Sequence, residues 1–307
     1  MTPIAEALAK VTIGQPQNVG RLTVFPLLGS SDGKPPYLLL DEALAKGVAK
    51  VTETSTSGSV PELRFENHSD RSILIVDGEA LIGAKQNRIV NISILVPAQS
   101  VIPIPVSCVE QGRWAYRRPD FGSSDHVLYS RSRAQKSWDV SASLRVSGRA
   151  RSDQRTIWTD IAQKSKRMAA ESRSQAMDAL FVNAHQELEN IEQRLQPEPN
   201  EVGAAFALDG RVVGLEVFDA AETWRRFSRK VYRSYGLDAL DAGTGVHDGS
   251  IDIHQWLQMV AAAPVALFPS IGLGQDARLE HPQVSGGALV VGETLIHCAA
   301  FDAKAWQ

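Results

Sequence analysis

The chain of 307 residues has only two cysteines, Cys108 and Cys298. Two are too few for a disulfide scaffold, and their unlike contexts predict free thiols in a reducing compartment. Long apolar runs are missing too. The best candidate, residues 260–269, falls short of the roughly 18 residues a membrane-spanning helix needs and contains Pro264. The first residues lack a basic start followed by an apolar stretch, so no secretory signal is predicted. The expectation is a cytoplasmic protein with no membrane partner. Three glycine-based signatures are also absent: the phosphate loop G-x-x-x-x-G-K-[ST], the dinucleotide fingerprint G-x-G-x-x-G after a strand, and the nucleophile elbow G-x-S-x-G.

What is present is a globular composition, with 43% hydrophobic and 22% charged residues, which excludes global disorder. A net charge of −3 speaks against nucleic acid as the main partner, and no recognition motif accompanies the basic stretches. The charge is unevenly spread. Residues 113–173 carry 14 basic and 6 acidic side chains, whereas residues 174–203 carry 1 and 6. The basic segment is either a solvated face or a surface for a phosphate-bearing ligand or partner.

The pattern predicts an α+β fold, with an antiparallel sandwich- or barrel-like N-terminal part, a helical segment and C-terminal strands. Residues 1–112 alternate like strands at 21–25, 50–54, 61–67, 72–77, 88–96 and 101–107, with a short helix at 40–46. Residues 113–153 read as a basic, irregular segment. Residues 154–307 then supply helices, a β-hairpin and closing strands. A helix is expected from Asp153, its N-cap. A second, with Met177, Leu180, Phe181, Ala184, Leu188, Ile191 and Leu195 at 3-and-4 spacing, is stopped by Pro197 and Pro199. Asp209-Gly210 suits the turn of a tight hairpin, and Asp219 with Glu222 forms a plausible capping box. A helix near 253–262 precedes strands at 264–268, 287–291 and 294–300. These last strands can rejoin the N-terminal sheet and complete a single domain.

One polar cluster interrupts core-like strand sequence: Asp77, Glu79, Lys85, Gln86, Asn87, Arg88 and Asn91, then Cys108, Glu110, Gln111, Arg113 and Trp114. Buried polar groups must be paired or hydrogen-bonded. Glu79 is expected to pair with Lys85 across a hairpin, and Arg88 to meet Glu110. The cluster is either a network that pins sheet register or a pocket where carboxylates do acid–base work and cations hold an anion. Two other signals are weaker. Cys108 to Arg113 has the form Cys-x4-Arg after a strand, yet Glu110 inside it would repel an anion, so a buried thiol is expected. The stretch from His247 to His254 has several ligand-type side chains at a spacing that matches no metal motif.

Two long motifs carry a resemblance: Val76-Asp-Gly-Glu-Ala-Leu-Ile-Gly-Ala-Lys-Gln-Asn-Arg-Ile-Val-Asn-Ile-Ser-Ile-Leu-Val-Pro-Ala98 and Ile104-Pro-Val-Ser-Cys-Val-Glu-Gln-Gly-Arg-Trp114. They resemble the signature of the ARG and rhodanese–phosphatase-superfamily-associated protein family, over roughly residues 20–240. The family is named for its genomic company of ADP-ribosylglycohydrolases and rhodanese- or phosphatase-like proteins. The resemblance implies a binding or processing role around NAD or ADP-ribose, and it brings no established mechanism.

The expected function is therefore binding or processing of an ADP-ribose, NAD-derived or related nucleotide ligand, with hydrolysis as one form of processing. Glu79 and Glu110 are the candidate catalytic carboxylates. Lys85, Gln86, Arg88, Asn91, Gln111, Arg113 and Trp114 are the candidate ligand contacts. The rival expectation is a non-catalytic interaction or scaffold protein with a structural polar cluster and a protein partner. No cofactor and no metal ligand is specified by the sequence, and substrate identity, reaction type and oligomeric state do not follow from it.

Overall fold

The structure is a computed structural model that describes residues 1–29, 33–55, 58, 60–242 and 252–305. It is α+β. Among the described residues, nine strands form one antiparallel sheet, ordered Thr12–Ile13, Leu22–Leu28, Glu201–Leu208, Arg211–Phe218, Thr294–Asp302, Val284–Val291, Gln275–His281 and Val265–Pro269, with Gln17–Val19 paired to Leu22–Leu28. The C-terminal strands share this sheet with Leu22–Leu28 through the central hairpin: Phe301 lies opposite Gly214, and Phe206 opposite Val24. A second sheet of six strands runs Phe121–Val127, Glu79–Gly83, Arg88–Val90, Ser100–Cys108, Glu62–Asn67 and Ala49–Glu53. A third, of three strands, runs Ile94–Val96, Ser72–Ile75 and Tyr37–Leu39.

Both faces of the nine-stranded sheet are covered at its centre, which is why Glu201–Leu208 is buried throughout. Ala204, Phe206 and Leu208 join one core with Trp224, Phe227, Val231 and Tyr235 of the helix Ala221–Leu240. Ala205 on the opposite face joins Ile4, Leu8, Trp256 and Val260, from the helices Pro3–Ala9 and Ile253–Ala262. The alternation follows from the two-residue period of a strand. The hairpin between residues 208 and 211 turns through Asp209 (φ 50°) and Gly210 (φ 84°), the positive pair a type I′ turn requires.

Several expectations are corrected. Residues 113–153 are not irregular: they contain the strand Phe121–Val127 and the 18-residue helix Ser130–Ser147. That helix lacks a continuous apolar stripe because Ser130, Ser132, Arg133, Lys136, Ser137 and Ser141 are buried alongside Ala134, Val140 and Leu144, with the cations paired inside the protein. The expected strand at 88–96 splits at Asn91–Ser93 into members of two different sheets. The helical stripe at 177–195 breaks at Ala184 into Asp178–Asn183 and His185–Arg194. Asp153 does cap the helix Gln154–Arg167, accepting from the amides of Arg155 and Thr156. Asp219 does not cap its helix; it accepts instead from the Tyr37 hydroxyl. No helix among the described residues is long and apolar enough to cross a membrane.

Candidate ligand site

The antiparallel register sets Arg88 opposite Cys108, so the residues just before Arg88 and just after Cys108 meet across the same sheet edge. Gln86 donates to the Glu110 carbonyl at 2.9 Å, and the Asn87 amide donates to Glu110 Oε2 at 3.1 Å. Arg113 folds back as a clasp. Its guanidinium donates to the Ala84 carbonyl (2.6 Å), the Gly83 carbonyl (3.1 Å), Asn87 Oδ1 (3.1 Å) and Glu110 Oε2 (2.7 Å). Burial alone would raise the Glu110 pKa, but hydrogen bonds from Arg113, Ser174 and the Asn87 amide hold it below the ordinary carboxyl value. Glu110 is therefore an ionised, fully occupied anchor for the loop. Gln154, the first residue of the helix Gln154–Arg167, exchanges hydrogen bonds with both the amide and the carbonyl of Cys108.

Arg88 differs from Arg113. Its side chain is completely buried, and Nη1 donates to Gln86 Oε1 at 3.0 Å, yet Nε and Nη2 have no partner among the described residues. These two nitrogens form the edge of a guanidinium that takes a carboxylate or phosphate bidentately. Desolvation pushes the Arg88 pKa down, and the nearby carboxylates of Glu53 and Glu110 oppose that. The guanidinium carbon lies 5.7 Å from the Trp114 ring centre, and Lys85 Nζ lies 5.3 Å from Trp114 and 5.2 Å from Tyr116. Both rings are about half exposed, so the aromatic faces stand at the surface beside two buried cations.

A residue absent from the sequence-based candidates completes the group. Glu53, at the end of Ala49–Glu53, is buried, and neither carboxylate oxygen has a partner among the described residues. A Cβ at Gly58 would lie 3.3 Å from each of Glu53 Oε2, Lys85 Cδ and Trp114 Cζ2, so those three side chains converge on one spot. Nothing in the motif 76–98 points to Glu53; it is recruited by sheet pairing, with Ala49–Glu53 against Glu62–Asn67 and the latter against Ser100–Cys108.

Other sequence-based candidates lie elsewhere. Glu79 does not pair with Lys85. It accepts from Lys230 Nζ at 2.8 Å and from the Val76 amide, deep between the six-stranded sheet and the helix Ala221–Leu240. The expected Arg88–Glu110 pair is likewise replaced, by Arg88–Gln86 and Arg113–Glu110. Asn91 bridges the Ala150 carbonyl and the Ser107 hydroxyl, while Gln111 is exposed in the turn after the strand. Cys108 is buried, its thiol donates to Gln86 Oε1, and burial raises its pKa, the opposite of an activated nucleophile.

A separate buried network cross-braces the sheets. Lys136 holds Asp77, Arg133 holds Glu216, Glu216 meets His297 Nε2 at 2.8 Å, and His297 Nδ1 meets Ser93 Oγ at 2.8 Å. These residues come from the helix Ser130–Ser147, the nine-stranded sheet, the turn at Asp77 before Glu79–Gly83 and the crossing at Ser93, and all but Asp77, at 9%, are less than 9% exposed. Among the described residues no group of three or more His, Cys, Asp or Glu side chains is disposed to hold a metal ion. The stretch from His247 to His254 lies largely outside the described residues.

Residues 10–301 match the model of the ARG and Rhodanese-Phosphatase-superfamily-associated Protein domain. The chain belongs to this family. No curated protein and no solved structure matches it. The match spans both large sheets, so the family's unit includes the C-terminal strands that carry His297 and complete the nine-stranded sheet.

Proposed function

We propose that the group at Glu53, Lys85, Arg88 and Trp114 binds a phosphate-bearing nucleotide ligand of the ADP-ribose or NAD-derived class. The observation that carries this reading is the open Nε–Nη2 edge of a fully buried Arg88 beside an exposed indole. Leaving such donors unpaired costs kcal/mol in a structure with no use for them, and a phosphate or pyrophosphate oxygen pair satisfies both at once. Trp114 and Tyr116 offer flat faces for a base. The Glu53 carboxylate can accept from ribose hydroxyls, and among the site's carboxylates it is the one with free oxygens for acid–base work should the ligand be processed. Gln86, Glu110 and Arg113 position the loop. Glu79 belongs to the scaffold beneath it. The family's association with ADP-ribosylglycohydrolases supports the ligand class. Titration of wild type and Arg88→Ala with ADP-ribose tests the reading: binding lost in the variant supports it, and equal binding by both, or by neither, refutes it.

The full internal pairing of Arg113, Glu110 and Asn91 favours a second reading, in which the whole cluster is structural. That reading leaves the open edge of Arg88 and the free oxygens of Glu53 without an account.

A further inference from the structure

The basic segment of the chain is mostly neutralised inside the fold. Arg133, Lys136 and Lys164 are buried against Glu216, Asp77 and Asp238, while Arg113, Arg118, Arg145 and Arg167 pair with Glu110, Asp120, Glu280 and Asp241. Arg155 is an exception, exposed and with no carboxylate at salt-bridge distance among the described residues. It lines a cleft of about 500 Å3 between the helices Ser130–Ser147 and Gln154–Arg167, to which Ser285 and Ala303 also contribute. That volume falls within the range of small-molecule sites.

Two contacts fix how the helices run. The Asp153 amide donates to Asp139 Oδ2, and Arg131 lies 3.8 Å from Asp160, so the helices are antiparallel along the cleft. Arg131, Ala134 and Trp138 follow helical spacing and share one face, as do Thr156, Thr159 and Gln163 on the other helix; all six line the cleft. Ala134 leaves room where a larger side chain would fill the groove. Trp138 stands half exposed near the Arg155 end, and Arg131 lies about 10 Å away along its helix, from seven residues of rise. Arg131 is partly neutralised by Asp160, which leaves one open cation beside one open indole.

We infer that this cleft is a second binding site, distinct from the one at Arg88, for a small molecule carrying a flat ring and a single anionic group, of the size of a nucleoside monophosphate. Trp138 stacks on the ring, Arg155 takes the anion, and the side chains of Thr159 and Gln163 supply hydrogen bonds.

Calorimetric titration with AMP and with 1-naphthyl phosphate tests this, alongside adenosine, which lacks the anion, and ribose 5-phosphate, which lacks the aromatic ring. Trp138 and Arg155 are exposed, so Trp138→Ala and Arg155→Ala should fold normally, which circular dichroism checks. At least one of the two ring-bearing phosphates should bind saturably, at least tenfold more tightly than adenosine or ribose 5-phosphate. Each of the two variants should weaken it tenfold or more, and Arg88→Ala should leave it unchanged. The inference is overturned if neither phosphate binds, if adenosine or ribose 5-phosphate binds as tightly, or if Arg155→Ala binds like wild type. Loss of binding in Arg88→Ala with retention in Arg155→Ala would also overturn it, by assigning the ligand to the other site.

Discussion

Lys230, on the helix Ala221–Leu240, holds the Glu79 carboxylate at 2.8 Å across 151 residues of sequence. Glu79 also receives the Val76 amide, and Lys230 donates to Ser123. Burial raises the Glu79 pKa, with Lys230 opposing, and the electrostatic pull of Glu79 and Asp41 holds Lys230 above its ordinary value against the burial that would lower it. The pair ties the six-stranded sheet to the helix that covers the nine-stranded one. It therefore predicts a structural phenotype. Lys230→Met leaves a buried carboxyl without its cation and should destabilise by about 3–5 kcal/mol, read from urea denaturation. A change within about 0.5 kcal/mol would show that the pair is not a brace.

The same logic separates two arginines of the candidate site. Arg113→Ala strips hydrogen bonds from the Gly83 and Ala84 carbonyls and from Glu110, and should cost about 3 kcal/mol. Arg88→Ala removes a guanidinium with two unpaired nitrogens and should cost much less. Equal losses in the two variants would mean that Arg88, too, is mainly structural.

Glu201 sets a pH dependence. Burial raises its pKa to about 7, against hydrogen bonds from the Glu198 amide and Trp224. The folded state thus favours the protonated carboxyl. Its contribution is fully present below the ordinary value of 4.5 and is lost as pH rises through about 7. The loss amounts to about 3 kcal/mol by linkage. Glu201→Gln should match wild type in urea midpoint near pH 4.5 and exceed it at pH 8. Parallel pH profiles for the two proteins would remove Glu201 from this role.

Both thiols should be inert in the native protein. Cys108 and Cys298 are buried, and burial pushes the Cys298 thiol up to about 12. A thiol-reactive dye at neutral pH should label neither within minutes, and label both in denaturant. Rapid native labelling of Cys108 would revive a nucleophilic reading of the Cys-x4-Arg stretch.

How far the sequence carries depends on where the information lies. Strands such as Leu22–Leu28 and Glu62–Asn67, and the Asp209-Gly210 hairpin, are legible because period-two burial and turn chemistry are local. The helix Ser130–Ser147 is not, since Arg133, Lys136 and several serines, whose partners are distant in sequence, interrupt the apolar part of its buried face, Ala134, Val140 and Leu144. Gln86, Arg88, Glu110, Arg113 and Trp114 stand out in the sequence because they interrupt or follow apolar strands, and they lie together in the fold. Glu53 was invisible, because one acidic residue ending an exposed-looking strand carries no local signal. The pairings of Glu79 and Asp219 were misread for the opposite reason: a near neighbour in sequence offered a partner, and Lys230 and Tyr37 took the role instead.

The most direct test of the account is a thermal-shift titration with ADP-ribose on wild type, Arg88→Ala and Arg155→Ala. At 100 times its dissociation constant a ligand stabilises by about 2.7 kcal/mol, which a melting curve resolves. A saturable upward shift is expected in wild type and Arg155→Ala and none in Arg88→Ala, whose unliganded melting temperature stays close to wild type. No shift in wild type, combined with a large drop in the melting temperature of Arg88→Ala, would contradict it and mark the cluster as structural.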